Sequence, residues 1–376
     1  MTPARQARAE PSGAGRVALI AALVVTTGAC DSRKEAGPGQ PPSAAAASSV
    51  SSSSSLSATS PGAMTAPSAS SPMPGLPIGP GGKDVVRPPS GVFGPGEADA
   101  IAKRGEPRRV VVLDAGAEPR ETIAYRAAAG TKQTITMGLD LAMAMSPPGA
   151  QPRLMKMPRT ETTLQISIES AEADKATVRA EIVAVRLVET DASQAAAISG
   201  SREMLDKLTG IDLEMTFDPR ATQTAVSLAS ADKPSPEASK ALEQLRQTLF
   251  NVITPTPDVP VGAGARWLVI ERIATPADVI QIRTVTLGNR EGTRAELTVS
   301  VAQIAASPRL GPAVAAGGAS PTIGALETSG TSTFSVDFEH VCPDKGQSEV
   351  KTVMLLTQGK DSLRTEAVAK ATIETR

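Results

Sequence analysis

The stretch Thr134-Ile135-Thr136-Met137-Gly138-Leu139-Asp140-Leu141-Ala142-Met143-Ala144-Met145 decides the fold class. In an extended chain successive side chains point to opposite faces, so Ile135, Met137, Leu139, Leu141, Met143 and Met145 share one side. The small or polar residues between them share the other. This is a long strand with one buried face. The same period of two returns at Leu164, Ile166 and Ile168. After a turn at Ala173-Asp174-Lys175 it returns at Val178, Ala180, Ile182 and Ala184, and these segments are expected to pair as antiparallel neighbours. Ile211, Leu213, Met215 and Phe217 alternate with polar residues up to a turn at Asp218-Pro219, beyond which 222–228 forms the partner of a hairpin.

Towards the C-terminus, Gly262-Ala263-Gly264 opens a second series of strands over 266–273, 278–287, 293–302, 332–338, 348–356 and 362–373. Asn289-Arg290-Glu291-Gly292 is the tight connection within it, and 307–322 is expected to be an exposed loop. Upstream, 108–113 reads as the first strand, preceded by a short helix over 97–104 that Gly105 closes. The strongest helix signal is 236–251: Ser235 can cap it, Pro236 and Glu237 suit its first turn, and Ala238, Leu242, Leu245 and Leu249 line one face. A second helix is expected over 192–208, interrupted at Gly200 and ended by Gly210. The expected architecture is mainly β (α+β), a curved antiparallel sheet or unclosed barrel with one or two packed helices, preceded by a disordered tether.

The N-terminus carries an address. Arg5, Arg8 and Arg16 precede the apolar run 17–25, which is too short for the ~20 residues that span a bilayer. Small residues then lead into Cys30. This layout resembles the lipobox of bacterial lipoproteins, which implies that residues 1–29 are a signal peptide and that Cys30 becomes a lipidated first residue. Asp31 resembles an inner-membrane retention signal. Several acyl chains on one residue hold a protein stably at a membrane, so the anchor at Cys30 places the chain at the cell envelope, extracytoplasmic, on the inner or the outer membrane.

Residues 36–82 contain no charged residue and consist largely of Ser, Ala, Pro and Gly, a composition that cannot bury enough apolar surface to offset chain entropy. With the Pro/Gly-punctuated stretch that follows, 30–95 is expected to be a disordered linker and 96–376 the β-rich extracytoplasmic domain.

Charge and composition exclude much. Thirty-eight basic against 39 acidic residues give a net charge of −1, which offers nucleic acid no attraction, and no nucleic-acid partner is expected. One His, two Cys, one Trp and one Tyr leave few groups for acid/base or nucleophilic chemistry.

The order Leu208-Thr209-Gly210, the alternating strand to Asp218-Pro219-Arg220, the helix, and Pro260-Val261-Gly262-Ala263-Gly264-Ala265-Arg266-Trp267 resembles a family of uncharacterised bacterial lipoproteins, over roughly residues 122–376. Family members typically have a glycine where Ala221 stands here. The resemblance implies export and a lipid anchor, and no catalytic residues.

Individual motifs fail in context. His340 and Cys342 fall short of the four ligands of a structural zinc site, and no metal or cofactor is expected. Cys342, unpaired outside the cytoplasm, is either free or in an intermolecular disulfide. Ser230-Ala231-Asp232-Lys233 matches a Ser-x-x-Lys pattern without its companion elements. Gly262-Ala263-Gly264 precedes a strand, where a phosphate loop needs a helix. The face formed by Met137, Leu139, Leu141, Met143 and Met145 is the candidate lining for an apolar ligand. The chain is therefore expected to be a non-catalytic envelope binding or structural module, partnered by an envelope protein; the alternative is a periplasmic carrier of a lipid or other apolar ligand.

Overall fold

The computed structural model describes residues 78–79, 84–146, 153–189, 205–206, 208–228, 245, 248–249, 251–273, 277–310, 321–359 and 361–376. The signal peptide, Cys30, all of the charge-free part of the linker except 78–79, and most of both expected helices lie outside the described residues.

Among the described residues, thirteen strands form a single sheet. They are β1 Arg109–Asp114, β2 Lys132–Ser146, β3 Arg153–Lys156, β4 Arg159–Ala171, β5 Ala176–Val188, β6 Asp212–Phe217, β7 Thr224–Leu228, β8 Arg266–Ile273, β9 Ala277–Glu291, β10 Arg294–Leu310, β11 Thr322–Asp337, β12 Lys345–Gln358 and β13 Asp361–Thr375. The spatial order is β1-β8-β9-β10-β11-β12-β13-β2-β4-β5-β6-β7, with β3 paired beside β2. Two meanders are thus joined where β13 pairs antiparallel with β2, Ala369 opposite Leu141. The sheet is not a closed barrel, since β1 and β7 end its path. Its rims nevertheless approach: Arg108 N donates to Thr222 O at 3.0 Å, just before the two edge strands begin.

The curvature follows from which side chains meet. Ile135 of β2, Leu164 and Ile166 of β4, Val178 of β5, Met215 and Phe217 of β6, Trp267 of β8, Val285 of β9 and Leu297 of β10 belong to one buried cluster, so one face of the sheet wraps around a common core. Tyr125 sits edge-on between Phe217 and Phe338, with ring centroids 6.0 and 5.4 Å away. Leu245 and Leu249 reach the same core. They and Thr248, Asn251 and Val252 have helical backbone, as do Leu205 and Asp206.

Part of the outer face of β8–β10 is buried too. Ile78, Phe93, Ala98, Ile101 and Ala102 cover Leu268, Ile270, Ile280, Ile282 and Ile304. This corrects the expected boundary at residue 96, because residues 84–95 already belong to the fold. Phe93 N donates to Ala305 O at 2.8 Å, Ala305 N to Gly91 O at 2.8 Å and Leu326 N to Ser90 O at 2.8 Å. Gly91 has φ 66°, and a Cβ there would lie 1.9 Å from Leu326 O. The Pro/Gly punctuation that suggested a linker is what lets an extended strap hug the sheet. The expected helix over 97–104 is only a 3-10 turn, Ala98–Ala100. So short a segment nucleates poorly, and Ile101 and Ala102 are instead drawn onto the sheet.

Most strands fall where the periodicity places them, but β9–β13 run longer, β10 reaching Leu310 where an exposed loop was expected, and β3 was not foreseen. The alternation fades in the long strands because polar Gln281, Gln303, Thr328 and Thr352 occupy inward positions. At the Asp218 turn, Ala221 takes the left-handed conformation (φ 54°) that glycine would adopt without strain.

Candidate functional site

The expected ligand-lining face of β2 does not line one space. Ile135 and Met137 join the main core, Leu141 and Met143 form a separate small cluster with Ala367, flanked by Met155 and Met157, and Met145 packs against a third cluster around Leu326 and Met354. Leu139 is half-buried between them.

What separates the main and third clusters is a row of polar side chains across five strands. Gln281 Nε2 donates to Glu271 Oε1 at 2.7 Å, Gln303 Nε2 to Gln281 Oε1 at 2.9 Å and Thr328 Oγ1 to Gln303 Oε1 at 3.4 Å, while the Thr328 and Thr352 hydroxyls lie 3.3 Å apart. Beside this row Arg283 and Glu271, each about 4 % exposed, approach to 3.3 Å, and Arg283 Nη1 donates to Asn251 O at 2.9 Å. Arg108 Nη1 donates to Ile253 O at 3.1 Å. Burial pushes the Arg108 guanidinium down to about 10, and the charge of Arg283 adds to this against the opposing pull of Glu271. Burial likewise raises the Tyr125 hydroxyl to about 12 while it bonds Thr254 O and N, both at 3.2 Å.

Hollows among the described residues lie elsewhere, two of them lined by charged groups. One, about 420 Å³, opens at the sheet's seam between Glu106, Arg108, Asp174, Lys175, Asp218 and Thr224. Charges of both signs line it, and two of them are engaged: Arg108 bonds Thr224 Oγ1, and Asp218 accepts from Thr222 Oγ1 at 3.0 Å and Gln223 N at 2.6 Å. The other, about 190 Å³, surrounds the Arg179–Asp212 ion pair with Glu169 and Glu214. Neither contains a residue of the methionine face.

The connection between β11 and β12 holds a different grouping. Asp337, His340 and Asp344 each place one ligand-type atom within 4.8 Å of the others, and His340 Nδ1 lies 3.0 Å from Asp344 Oδ1. Asp337 is buried, and burial by itself would raise its carboxyl. The Glu339 N–H, the Thr293 hydroxyl and Arg294 outweigh that and hold it below the ordinary carboxylate range. The loop is braced from inside: Gln133 Oε1 accepts from Val341 N at 3.2 Å and Cys342 N at 3.5 Å. Cys342 faces the core, 2 % exposed, its thiol pushed up to about 12 by burial, and no disulfide involves it.

The structure thus parts His340 from Cys342 and joins it to two aspartates. The sequence carried this signal in an acid three residues before and four residues after the sole histidine; weighing His340 against its nearest thiol passed over it. Ser230, Ala231, Asp232 and Lys233 lie outside the described residues, as does Cys30. No family model matches this chain, and no curated protein matches it.

Proposed function

We propose that this chain is an exported lipoprotein, held at the cell-envelope membrane by acyl chains on Cys30, whose β domain acts without catalysis as a binding or structural module towards an envelope partner. The resemblance to uncharacterised bacterial lipoproteins, and the reading of 236–251 as a helix packed into the curved face, belong to the same proposal. The basic n-region, the short apolar run and the terminal cysteine support the address.

The observation that carries the module reading over the carrier reading is the polar row from Glu271 to Thr352. A carrier of an apolar chain needs one continuous apolar lining, whereas here a hydrogen-bonded belt crosses the face and packed side chains fill the space on both sides. Two measurements test the proposal. Intact mass of membrane fractions should show an acylated chain lacking residues 1–29, and Cys30→Ala should lose the acyl mass and leave the membrane; a soluble, unacylated wild type overturns the anchor. Native mass spectrometry of gently purified protein should show no retained lipid, and Leu141→Trp should overpack the fold at a cost of about 1–3 kcal/mol. A lipid carried by the wild type and lost in a stably folded Leu141→Trp establishes the carrier instead.

A further inference from the structure

We propose that Asp337, His340 and Asp344 form a binding site for one divalent transition-metal ion of the zinc class. The donor set is one imidazole nitrogen and two carboxylates, the combination that such ions accept. The geometry fits. Bonds of about 2.0–2.2 Å to N and O donors put neighbouring ligand atoms roughly 3.0–3.4 Å apart in tetrahedral or octahedral arrangements. His340 Nδ1 and Asp344 Oδ1 stand at 3.0 Å, and the Asp337 carboxylate falls within the same 4.8 Å grouping.

The ligands are held before any ion arrives. His340 N donates to Asp337 O at 2.8 Å, Asp344 N to Ser335 O at 2.9 Å, Thr375 N to Asp344 O at 2.8 Å and Phe338 N to Thr293 O at 2.9 Å. Phe338, Val341 and Cys342 anchor the loop in the main core, so little conformational freedom is left to lose on binding. His340 and Asp344 are each one-third exposed, which leaves room for solvent ligands and a route for entry.

Asp337 is already engaged: its Oδ1 accepts from Glu339 N at 3.1 Å, its Oδ2 from Arg294 Nε at 3.1 Å, and Thr293 adds a side-chain hydrogen bond. An ionised carboxylate offers about four acceptor positions, so an ion can be added. The Arg294 side chain is 75 % exposed and can swing away, and its positive charge is the chief local opponent of a cation.

The full-length chain, solubilised in detergent, should be titrated with Zn²⁺ by calorimetry, with metal content measured after gel filtration. One zinc ion per chain is expected. His340→Ala and Asp344→Asn should each weaken binding at least tenfold, and Arg294→Gln should tighten it. Both weakened positions are partly exposed, so the variants should fold; zinc should raise the melting temperature of the wild type and not of His340→Ala. Co²⁺ substitution should give weak ligand-field bands without intense thiolate charge transfer. Absence of stoichiometric zinc in the wild type, unchanged affinity in His340→Ala, or a thiolate band would each overturn the site.

Discussion

The outer face of β2 and the outer face of β8 and β9 carry the same kind of chemistry under different cover. Across β2 and β4, Arg159 pairs with Asp140 at 2.5 Å and with Glu161 at 3.3 Å, and Arg186 reaches Glu161 at 2.6 Å while 72 % exposed. Across β8 and β9, Arg272 grips Asp278 with two bonds, Nε at 2.8 Å and Nη2 at 2.7 Å, and both side chains are nearly buried. The strap makes the difference. It lays Ile101 and Ala102 over Leu268 and Ile270, and its Arg104, Asp99 and Ala102 carbonyl complete the Arg272–Asp278 group. Similar ion networks therefore have different energetic weights, because solvent screens the first freely and is largely kept from the Arg272–Asp278 pair, although Arg104 and Asp99 stay exposed.

The largest test of this comparison puts a charge under the strap. Leu268 points outward from β8 yet is fully buried, so Leu268→Asp leaves an unpaired carboxylate among isoleucines and should cost more than about 4 kcal/mol, enough to abolish a cooperative melt. Ala142 points outward from β2, opposite Lys156, and Ala142→Asp should cost at most about 1 kcal/mol. Equal losses in thermal melts would mean that the strap does not seal its face.

This pair of strands also marks how much was legible in the sequence. In β2 the alternation from Ile135 to Met145 revealed a strand with one buried face, because solvent lies on the other. In β8 the unbroken run Trp267-Leu268-Val269-Ile270 is apolar on both sides, since the core lies inside and the strap outside. The strand was legible, and the cover was not. Ile78, Val85 and Phe93 are spaced too widely for any periodicity, and the glycine and proline between them imitate a linker. Pairings such as β13 with β2 join chain segments with no local signal between them. The Asp337–His340–Asp344 grouping was half legible, as a histidine flanked by acids. That these three converge depends on Gln133, 208 residues upstream of Val341, bracing the loop.

A middle-sized effect is expected at Asp278. Asp278→Asn leaves Arg272, only 6 % exposed, without its two-point partner, and the loss should be about 3 kcal/mol near neutral pH. Burial would raise the Asp278 carboxyl, but Arg272 and then Arg104 outweigh it and hold it below its ordinary 3.8. A carboxyl depressed in the folded state contributes stability that is complete above its unfolded value and is lost as pH falls through the folded one. The gap between wild type and Asp278→Asn should therefore stay constant from pH 7 to 5 and narrow below about pH 4. Chemical denaturation across that range measures it; a gap that closes already between pH 7 and 5 would assign the effect to another group.

The smallest effect belongs to the open network. Asp140 keeps two-fifths of its side chain in water, and Arg159, when it loses Asp140, still has Glu161 at 3.3 Å and the Thr372 hydroxyl at 2.9 Å. Asp140→Asn removes one charge and keeps the shape, so about 0.2–1 kcal/mol should be lost at low salt. Because the pair is within reach of mobile ions, raising the salt to about 1 M, where the screening length is only ~3 Å, should erase most of that loss. The Asp278→Asn deficit should survive the same salt, since the strap keeps ions away from Arg272. Paired denaturation curves at low and high salt therefore separate the two faces by sensitivity as well as size. If both deficits respond alike, cover is not what distinguishes the two networks.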